Sequence, residues 1–135
     1  MPTFDLTKHR ELWNWLADNP GQFKEDWPGW YDIEDYDPEI YPDNNCFACQ
    51  YSKEHRLATG KYAYDFNPEV CEETCPLLWG TFRTCCDTGS IFSEWDNVND
   101  KCSRCLDVDG VYAARAEALA RDIAELPVRE GVETE

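Results

Sequence analysis

Apolar residues near both ends of the chain recur at the spacing of an amphipathic helix. Near the N-terminus, the residues on this face are His9, Leu12, Trp13 and Leu16. Their spacing predicts a helix over residues 6–18, which Asp5 or Thr7 caps and which the Asn-Pro-Gly sequence at 19–21 ends.

Near the C-terminus, steps of four and three residues place five side chains in one apolar stripe: Tyr112, Ala116, Leu119, Ile123 and Leu126. This stripe predicts a helix over residues 110–126, with Asp109 as its N-cap and Pro127 at its end. The polar residues 129–135 beyond it are expected to form a frayed acidic tail.

Between these helices, the stretch "ATGKYAYDF" at residues 58–66 changes to a period of two. Tyr62, Tyr64 and Phe66 share one face of this stretch, and Gly60 supplies a turn. The alternation predicts a strand that belongs to a short β-hairpin. We therefore expect one α+β domain over residues 1–128, with a small β-hairpin centre flanked by the two amphipathic helices.

The composition favours a single soluble domain in the cytoplasm. The chain has 135 residues, of which 42% are hydrophobic, which is enough for one core. It has no apolar run near the roughly 20 residues that a membrane span needs. The N-terminus carries charges and tryptophans where a signal peptide needs an apolar stretch.

The net charge is −16, from 28 acidic residues against 12 lysines and arginines. This charge argues against direct nucleic-acid binding, which needs a basic surface. It suits a protein that meets basic surfaces, including the nucleic-acid clefts of other proteins, although acidity also simply keeps a protein soluble.

The acidic residues are concentrated between Glu25 and Ser52, a window that holds eight acids and no lysine or arginine. Aromatic residues and turn formers interleave with them, which favours a loop folded back onto the domain or onto a partner. The predicted partner-binding residues are Asp32, Glu34, Asp35, Asp37, Glu39, Trp30 and Tyr36.

Eight cysteines form four clusters along the chain, and their spacing is typical of metal ligands. A C-x2-C pair and a second pair beyond a hairpin would hold one zinc ion in a zinc-ribbon-like centre. The predicted ligands of one or two zinc ions are Cys46, Cys49, Cys71, Cys75, Cys86, Cys102 and Cys105.

The simplest first site consists of Cys46, Cys49, Cys71 and Cys75. A second site would consist of Cys102, Cys105 and either Cys85 or Cys86. An interleaved set of ligands, with Cys86 in place of Cys71, is an alternative for the first site. His55 could also replace a cysteine. A redox dithiol, an iron–sulfur cluster and a disulfide scaffold are the rival readings of the cysteines.

A closed site of four thiolates is structural, because it leaves no position at which the metal could activate water. The chain also lacks the short motifs of metalloproteases, serine hydrolases, phosphate-binding loops and zinc deaminases. We therefore expect a protein that is not an enzyme.

The order of several motifs resembles a family of small cysteine-rich proteins of bacteriophages and prophages of gut Firmicutes. The motifs are "HRELWNWLADNPGQFKEDWPGW", "CFACQYS", "CPLLWG", "CC", "FSEW" and "ARDIAELPVRE", which span most of the chain. The resemblance implies a phage origin and zinc binding. The chain departs from the family in its C-x3-C spacing, its doubled cysteine and its additional pair at Cys102 and Cys105.

Together these features predict an acidic, zinc-stabilised phage protein that binds a host protein in the host cytoplasm and inhibits or modulates it. Its acidic segment would imitate nucleic-acid phosphates and block an enzyme that handles DNA or RNA, as an anti-CRISPR or anti-restriction protein does. The alternative is a zinc-dependent adaptor that binds a protein partner through its aromatic residues.

Overall fold

The computed structural model describes residues 2–33, 36–37, 46–60, 74–79, 89–103 and 110–134. Within these ranges the chain forms four α-helices: α1 over Leu6–Asp18, α2 over Phe47–Thr59, α3 over Ile91–Ser103 and α4 over Val111–Ala124. Two 3₁₀ turns, Lys24–Asp26 and Pro28–Asp32, follow α1.

Helix α4 packs against both α1 and α3, and α1 makes a smaller contact with α2. Ala116, Ala120 and Ala124 recur every fourth residue on α4 and are fully buried. Because alanine side chains are small, this stripe lets neighbouring helices approach closely, while Leu119 and Ile123 fill the space beside it. The predictions of a helix near each end of the chain are confirmed.

The buried imidazole of His9 connects α1 to the end of α4. Its Nε2 donates a hydrogen bond to the carbonyl of Ile123 at 3.1 Å. That carbonyl lies in the last turn of α4, where it also accepts a longer hydrogen bond from the N–H of Leu126 at 3.3 Å. Phe4 covers the imidazole, with 5.4 Å between the ring centroids. A buried polar side chain thus satisfies one helix end inside the core.

Helix α3 is joined to the loop after α1 by a buried amide. Asn99 is fully buried. Its Oδ1 accepts a hydrogen bond from the N–H of Gly21 at 2.8 Å, and its Nδ2 donates to the carbonyl of Gln22 at 2.8 Å. Nearby, Trp95 of α3 meets Trp13 of α1 edge to face, at 4.8 Å between centroids. These contacts hold α3 against α1.

The segment after α4 runs back along the domain. Arg129 N–H donates to the carbonyl of Pro76 at 2.7 Å, and Leu78 N–H donates to the carbonyl of Pro127 at 2.9 Å. Further on, Phe4 N–H donates to the carbonyl of Glu133 at 2.8 Å. The residues expected to fray, in their described part 129–134, therefore lie against two separate parts of the chain.

The predicted α+β fold with a zinc-ribbon-like β-hairpin centre is wrong, because the described residues contain helices and no strand or sheet. Two isolated bridges, Phe4 with Thr134 and Leu77 with Val128, are the β-type pairings there. The first cysteine pair opens a helix instead of a hairpin, and Gly60 ends that helix in the left-handed conformation (φ 70°) instead of turning a hairpin. The alternating residues 61–66 lie outside the described residues.

The sequence "IFSEW" at residues 91–95 is the start of a long helix. The helix α3 begins at Ile91 and continues to Ser103. Its buried face includes Trp95 and Asn99, four residues apart. A polar asparagine on that face weakened the helical signal in the sequence, although its amide is the group that joins α3 to the loop after α1.

The burial of His9 predicts a pH-dependent stability. Burial lowers its pKa from 6.5 to about 4, and the hydrogen bond to Ile123 only partly opposes this effect. Between these values the unfolded chain binds a proton that the folded chain excludes, so the free energy of unfolding falls as the pH falls from about 6.5 to 4. The loss is on the order of 3 kcal/mol.

Chemical denaturation of the wild type and of His9→Gln across this pH range tests the prediction. We expect the glutamine variant to be less stable at pH 7 and to show a flatter pH dependence. His55→Gln, at the second histidine of the chain, is the control. If both substitutions flatten the dependence equally, His9 is not its origin.

The buried amide of Asn99 yields a second prediction. Asn99→Ala leaves the N–H of Gly21 and the carbonyl of Gln22 without their partner, and each such group costs about 1–3 kcal/mol. We expect a loss of about 2–4 kcal/mol in the free energy of unfolding. Asn97→Ala, at an exposed position of the same helix, is the matched control with an expected change within about 0.5 kcal/mol. Equal effects of the two substitutions would contradict this role.

Candidate thiol centre and acidic surface

The first cysteine pair lies at the start of α2. Cys46 is the N-cap residue in an extended conformation, and its Sγ accepts a hydrogen bond from the N–H of Cys49 at 3.4 Å. The sulfur thus takes the place of the oxygen that Ser, Thr, Asp or Asn supplies at most helix N-termini. Because Cys49 lies in the first turn, the helix brings both thiols to the same end of α2.

The surroundings of Cys46 stabilise its thiolate. A hydrogen bond from the Cys49 thiol is the largest influence that lowers the pKa of Cys46, from 9.0 to about 6. Burial acts in the opposite direction, and the Lys24 ammonium and the N–H groups of Cys49 and Ala48 lower the pKa further. Helix N-termini and nearby cations favour thiolates in this way. Zinc binds the thiolate form, so this environment suits a metal ligand.

A third cysteine, Cys75, packs against the hydrophobic core, as Cys46 does. Burial raises the pKa of the Cys75 thiol, and the charge of Cys46 raises it further, so the two sulfurs are close enough to interact electrostatically. The Trp79 indole Nε1–H donates a hydrogen bond to the Cys75 sulfur at 3.4 Å. This bond, with one from the N–H of Leu77, works against the rise in pKa.

Two connections fix the segment that carries Cys75. The hydroxyl of the preceding residue, Thr74, hydrogen-bonds to the hydroxyl of Ser52 on α2, and both groups are buried. On the other side, backbone hydrogen bonds join Pro76 to Arg129 and Leu78 to Pro127. The fold therefore holds Cys75 between α2 and the segment after α4.

The structure brings some of the predicted zinc ligands together and separates others. Among the described residues, no three His, Cys, Asp or Glu side chains are grouped closely enough to hold a metal ion. Cys46 and Cys49 share one helix end, and Cys75 lies near them. Cys102 lies on α3, where its sulfur is close to Gly21. The other predicted ligands lie outside the described residues: Cys71, Cys86 and Cys105.

The thiol pair has the donor chemistry that zinc requires. Two sulfurs lie at one helix end and one of them is stabilised as a thiolate, which is the form of sulfur that zinc binds, and Cys75 is close enough to Cys46 for the charge of one to affect the pKa of the other. His9 is held in the core by its bond to Ile123. His55 stacks on Tyr51 at 5.9 Å between ring centroids.

The acidic segment is anchored to the start of α2 by its tryptophans. Trp27 and Trp30 are buried, meet edge to face at 4.9 Å, and both contact the ring of Phe47, the first residue of α2. Trp30 Nε1–H also donates to the carbonyl of Lys24 at 2.8 Å. The predicted partner residue Trp30 is therefore a core residue, with 1% of its surface exposed.

The remaining predicted partner residues within the described ranges differ in exposure, and Tyr36 is half-buried. Tyr36 stacks on Trp30 with 9° between the ring planes, whereas Asp32 and Asp37 are exposed. Three further predicted residues lie outside the described residues: Glu34, Asp35 and Glu39.

Tyr31 is an exposed aromatic residue that sequence reasoning did not select for this surface. It is 87% exposed and precedes Asp32 in the turn Pro28–Asp32. The spacing of the tryptophans could have indicated this exposure. In a 3₁₀ turn, residues three apart lie on the same face, so when Trp27 and Trp30 are buried, Tyr31 points away from the core.

Comparison with protein families, curated proteins and solved structures finds no match to this chain. Among the described residues, no helix is long and apolar enough to cross a membrane. The case for a function therefore depends on the thiol pair, the anchored acidic segment and the charge of the chain.

The two roles of Cys46, helix cap and metal ligand, can be separated by substitution. Cys46→Ser keeps a side-chain acceptor at the N-cap and removes the sulfur, while Cys46→Ala removes both. We expect both variants to lose bound zinc, as measured by elemental analysis of protein purified without added metal. With metal removed from all samples, the alanine variant should be about 1 kcal/mol less stable than the serine variant.

A serine variant that keeps the zinc content of the wild type would show that Cys46 is not a ligand. Equal stability of the two metal-free variants would instead show that the cap contributes nothing measurable without the metal.

Proposed function

We propose that this protein is a non-enzymatic, zinc-stabilised acidic protein of phage origin that binds and inhibits a host protein in the host cytoplasm. Its partner would be an enzyme that handles nucleic acid, such as a CRISPR or restriction effector, and its carboxylates would occupy the place of phosphates. The observation that supports this proposal is the turn Pro28–Asp32, in which Trp30 is buried, as is Trp27 directly before the turn, while Tyr31 and Asp32 face solvent.

Anchoring matters because ordering a mobile acidic loop on binding would oppose the association. In this chain, the turn is held by the packing of Trp27 and Trp30 on Phe47 and by the bond from Trp30 to the carbonyl of Lys24. Tyr36, stacked on Trp30, extends the anchored part to the neighbourhood of Asp37. Asp32 and Asp37 are thus presented from a partly rigid support.

The net charge of −16 gives this surface a long-range preference for basic partners. Charges of this kind steer association and favour partners of opposite sign. They also repel nucleic acid, so the natural target class is a protein with a basic cleft.

In this proposal zinc has a structural role at the start of α2. Cys46, Cys49, Cys71 and Cys75 would hold one ion, and Cys86, Cys102 and Cys105 would contribute to a second. When bound, the metal cross-links segments distant in the chain and carries out no chemistry. Because Phe47 directly follows Cys46 and supports both tryptophans, fixing this helix end also fixes the acidic turn.

A second candidate is an adaptor that binds its partner through aromatic contact, with the acids acting only on solubility. The exposure of Tyr31 favours it, since large aromatic side chains are enriched at binding interfaces. Ionic strength distinguishes the two candidates, because binding by carboxylates weakens with added salt and binding through Tyr31 changes little.

Neutralising the exposed carboxylates tests the proposal. The variant Asp32→Asn with Asp37→Asn removes two exposed charges, one at the end of the turn Pro28–Asp32 and one five residues later. The matched control, Asp96→Asn with Asp122→Asn, removes two exposed charges from α3 and α4. Each protein is immobilised, exposed to host lysate at low and high salt, and its captured proteins are quantified by mass spectrometry.

We expect the first variant to capture about tenfold less of the nucleic-acid-handling partner than the control does, corresponding to about 1.4 kcal/mol. High salt should reduce capture by the wild type in the same way. Equal capture by both variants, together with loss of capture in Tyr31→Ala, would favour the adaptor. Equal capture by all variants would show that the surface formed by Tyr31, Asp32 and Asp37 does not bind the partner.

A further inference from the structure

Cys46 and Cys49 form a pair of thiols in contact at the start of α2. The Cys46 sulfur accepts hydrogen bonds from the Cys49 thiol and from the N–H of Cys49, the latter at 3.4 Å. Both residues are half-buried, so neither is closed off in the core. Reactive cysteines have partly exposed positions of this kind, whereas structural cysteines are buried.

The two sulfurs have different places in the helix start. Cys46 is the N-cap residue, so its sulfur faces the N–H groups of the first turn, and the Lys24 ammonium is near enough to act on it electrostatically. Cys49 lies within the first turn and donates its thiol proton to that sulfur. Cys46 is thus the acceptor of the pair, in the position that suits a nucleophile, and Cys49 is the donor beside it.

A third thiol, that of Cys75, is close to Cys46 but is held by hydrogen bonds on its own segment. Trp79 Nε1–H donates to Cys75 Sγ at 3.4 Å, and the N–H of Leu77 donates to it as well. A bond between Cys75 and Cys46 would have to disturb these contacts. Between Cys46 and Cys49, thiols already in contact need only a short movement to reach the about 2 Å of a disulfide.

We propose that Cys46 and Cys49 form a thiol–disulfide exchange site that reduces disulfides, with Cys46 as the attacking sulfur and Cys49 as the resolving thiol. This reaction goes beyond the proposed function and rests neither on zinc nor on the acidic surface. A sulfur in a disulfide has no thiolate to give to a metal, so the reaction belongs to protein without metal at this pair.

The reaction consists of two exchanges. The Cys46 thiolate attacks one sulfur of a disulfide R–S–S–R, whose S–S bond breaks, so that Cys46 forms a mixed disulfide with one R–S group and the other leaves as a thiolate. Cys49 gives its proton to that thiolate, and its sulfur then attacks Cys46 Sγ and releases the second R–S group, which solvent protonates. One disulfide is reduced to two thiols, and the two cysteines are oxidised to one disulfide.

Glutathione disulfide is the probe that tests this reaction. The full-length protein is reduced, kept with a metal chelator and mixed with glutathione disulfide, and the products are trapped with acid and located by peptide mass spectrometry. The wild type is compared with Cys46→Ser, Cys49→Ser and Cys102→Ser. Cys102→Ser is the matched control, because Cys102 is also a half-buried cysteine near a helix end, on α3.

We expect the wild type to form the Cys46–Cys49 disulfide, and Cys49→Ser to stop at a mixed disulfide between Cys46 and glutathione. Cys49 in Cys46→Ser should react at least about tenfold more slowly than Cys46 does in the wild type. Cys102→Ser should form the Cys46–Cys49 disulfide at the wild-type rate. Equal rates in Cys46→Ser and the wild type, or a mixed disulfide in Cys49→Ser at Cys75 instead of Cys46, would overturn the proposal.

A comparison within the unaltered protein does not depend on the folding of any variant. Cys102 and Cys105 form a second C-x2-C pair with the same spacing. In urea, where spacing alone decides, the two pairs should form disulfides at similar rates. In the folded protein, we expect Cys46–Cys49 to form at least about tenfold faster. The same ratio of rates in both conditions, or a Cys46–Cys75 disulfide as the main product, would contradict the proposal.

Discussion

The burial of α4 between α1 and α3 is the packing on which the rest of the chain depends. Ala116, Ala120 and Ala124 let the helices approach closely, and the apolar side chains beside them supply the area removed from water. The ends of this assembly are closed by polar groups. His9 donates a hydrogen bond to a carbonyl in the last turn of α4. In the loop after α1, Asn99 accepts from the N–H of Gly21 and donates to the carbonyl of Gln22.

The start of α2 is where the candidate chemistry and the candidate surface meet. Cys46 caps the helix, and the next residue, Phe47, lies against Trp27 and Trp30. An interaction that fixes the position of the Cys46 sulfur therefore also fixes Phe47 and the two tryptophans that pack on it, which hold the turn Pro28–Asp32 in place. A metal ion bound to the Cys46 sulfur would therefore also stabilise the turn that carries Asp32.

The high negative charge opposes compaction, because like charges repel one another across a small domain. The exposed pairing of Arg121 with Asp18 and of Arg115 with Glu94 relieves little of this repulsion, since exposed ion pairs contribute weakly. Burial of aromatic rings and buried hydrogen bonds carry the stability instead. Metal ligation at the thiols would add a cross-link that does not depend on neutralising the acids.

The terminal helices could be predicted because their buried residues follow one period without interruption, from His9 to Leu16 and from Ala116 to Ile123. Helix α2 could not, because a C-x2-C pair is compatible with a turn or with a helix start. The backbone conformation of Cys46 selects between the two, and the packing of Phe47 on Trp27 and Trp30 favours the helix. Gly60 then ended a helix where a hairpin was expected, since a positive φ serves both purposes.

The acidity of the chain, the pairing of its cysteines along the sequence and its outer helices are properties of local composition and spacing. The burial of Trp30, the exposure of Tyr31 and the place of Cys75 beside α2 are set by contacts between residues far apart in the chain. No local period encodes such contacts, because each depends on which surfaces the packed helices leave available.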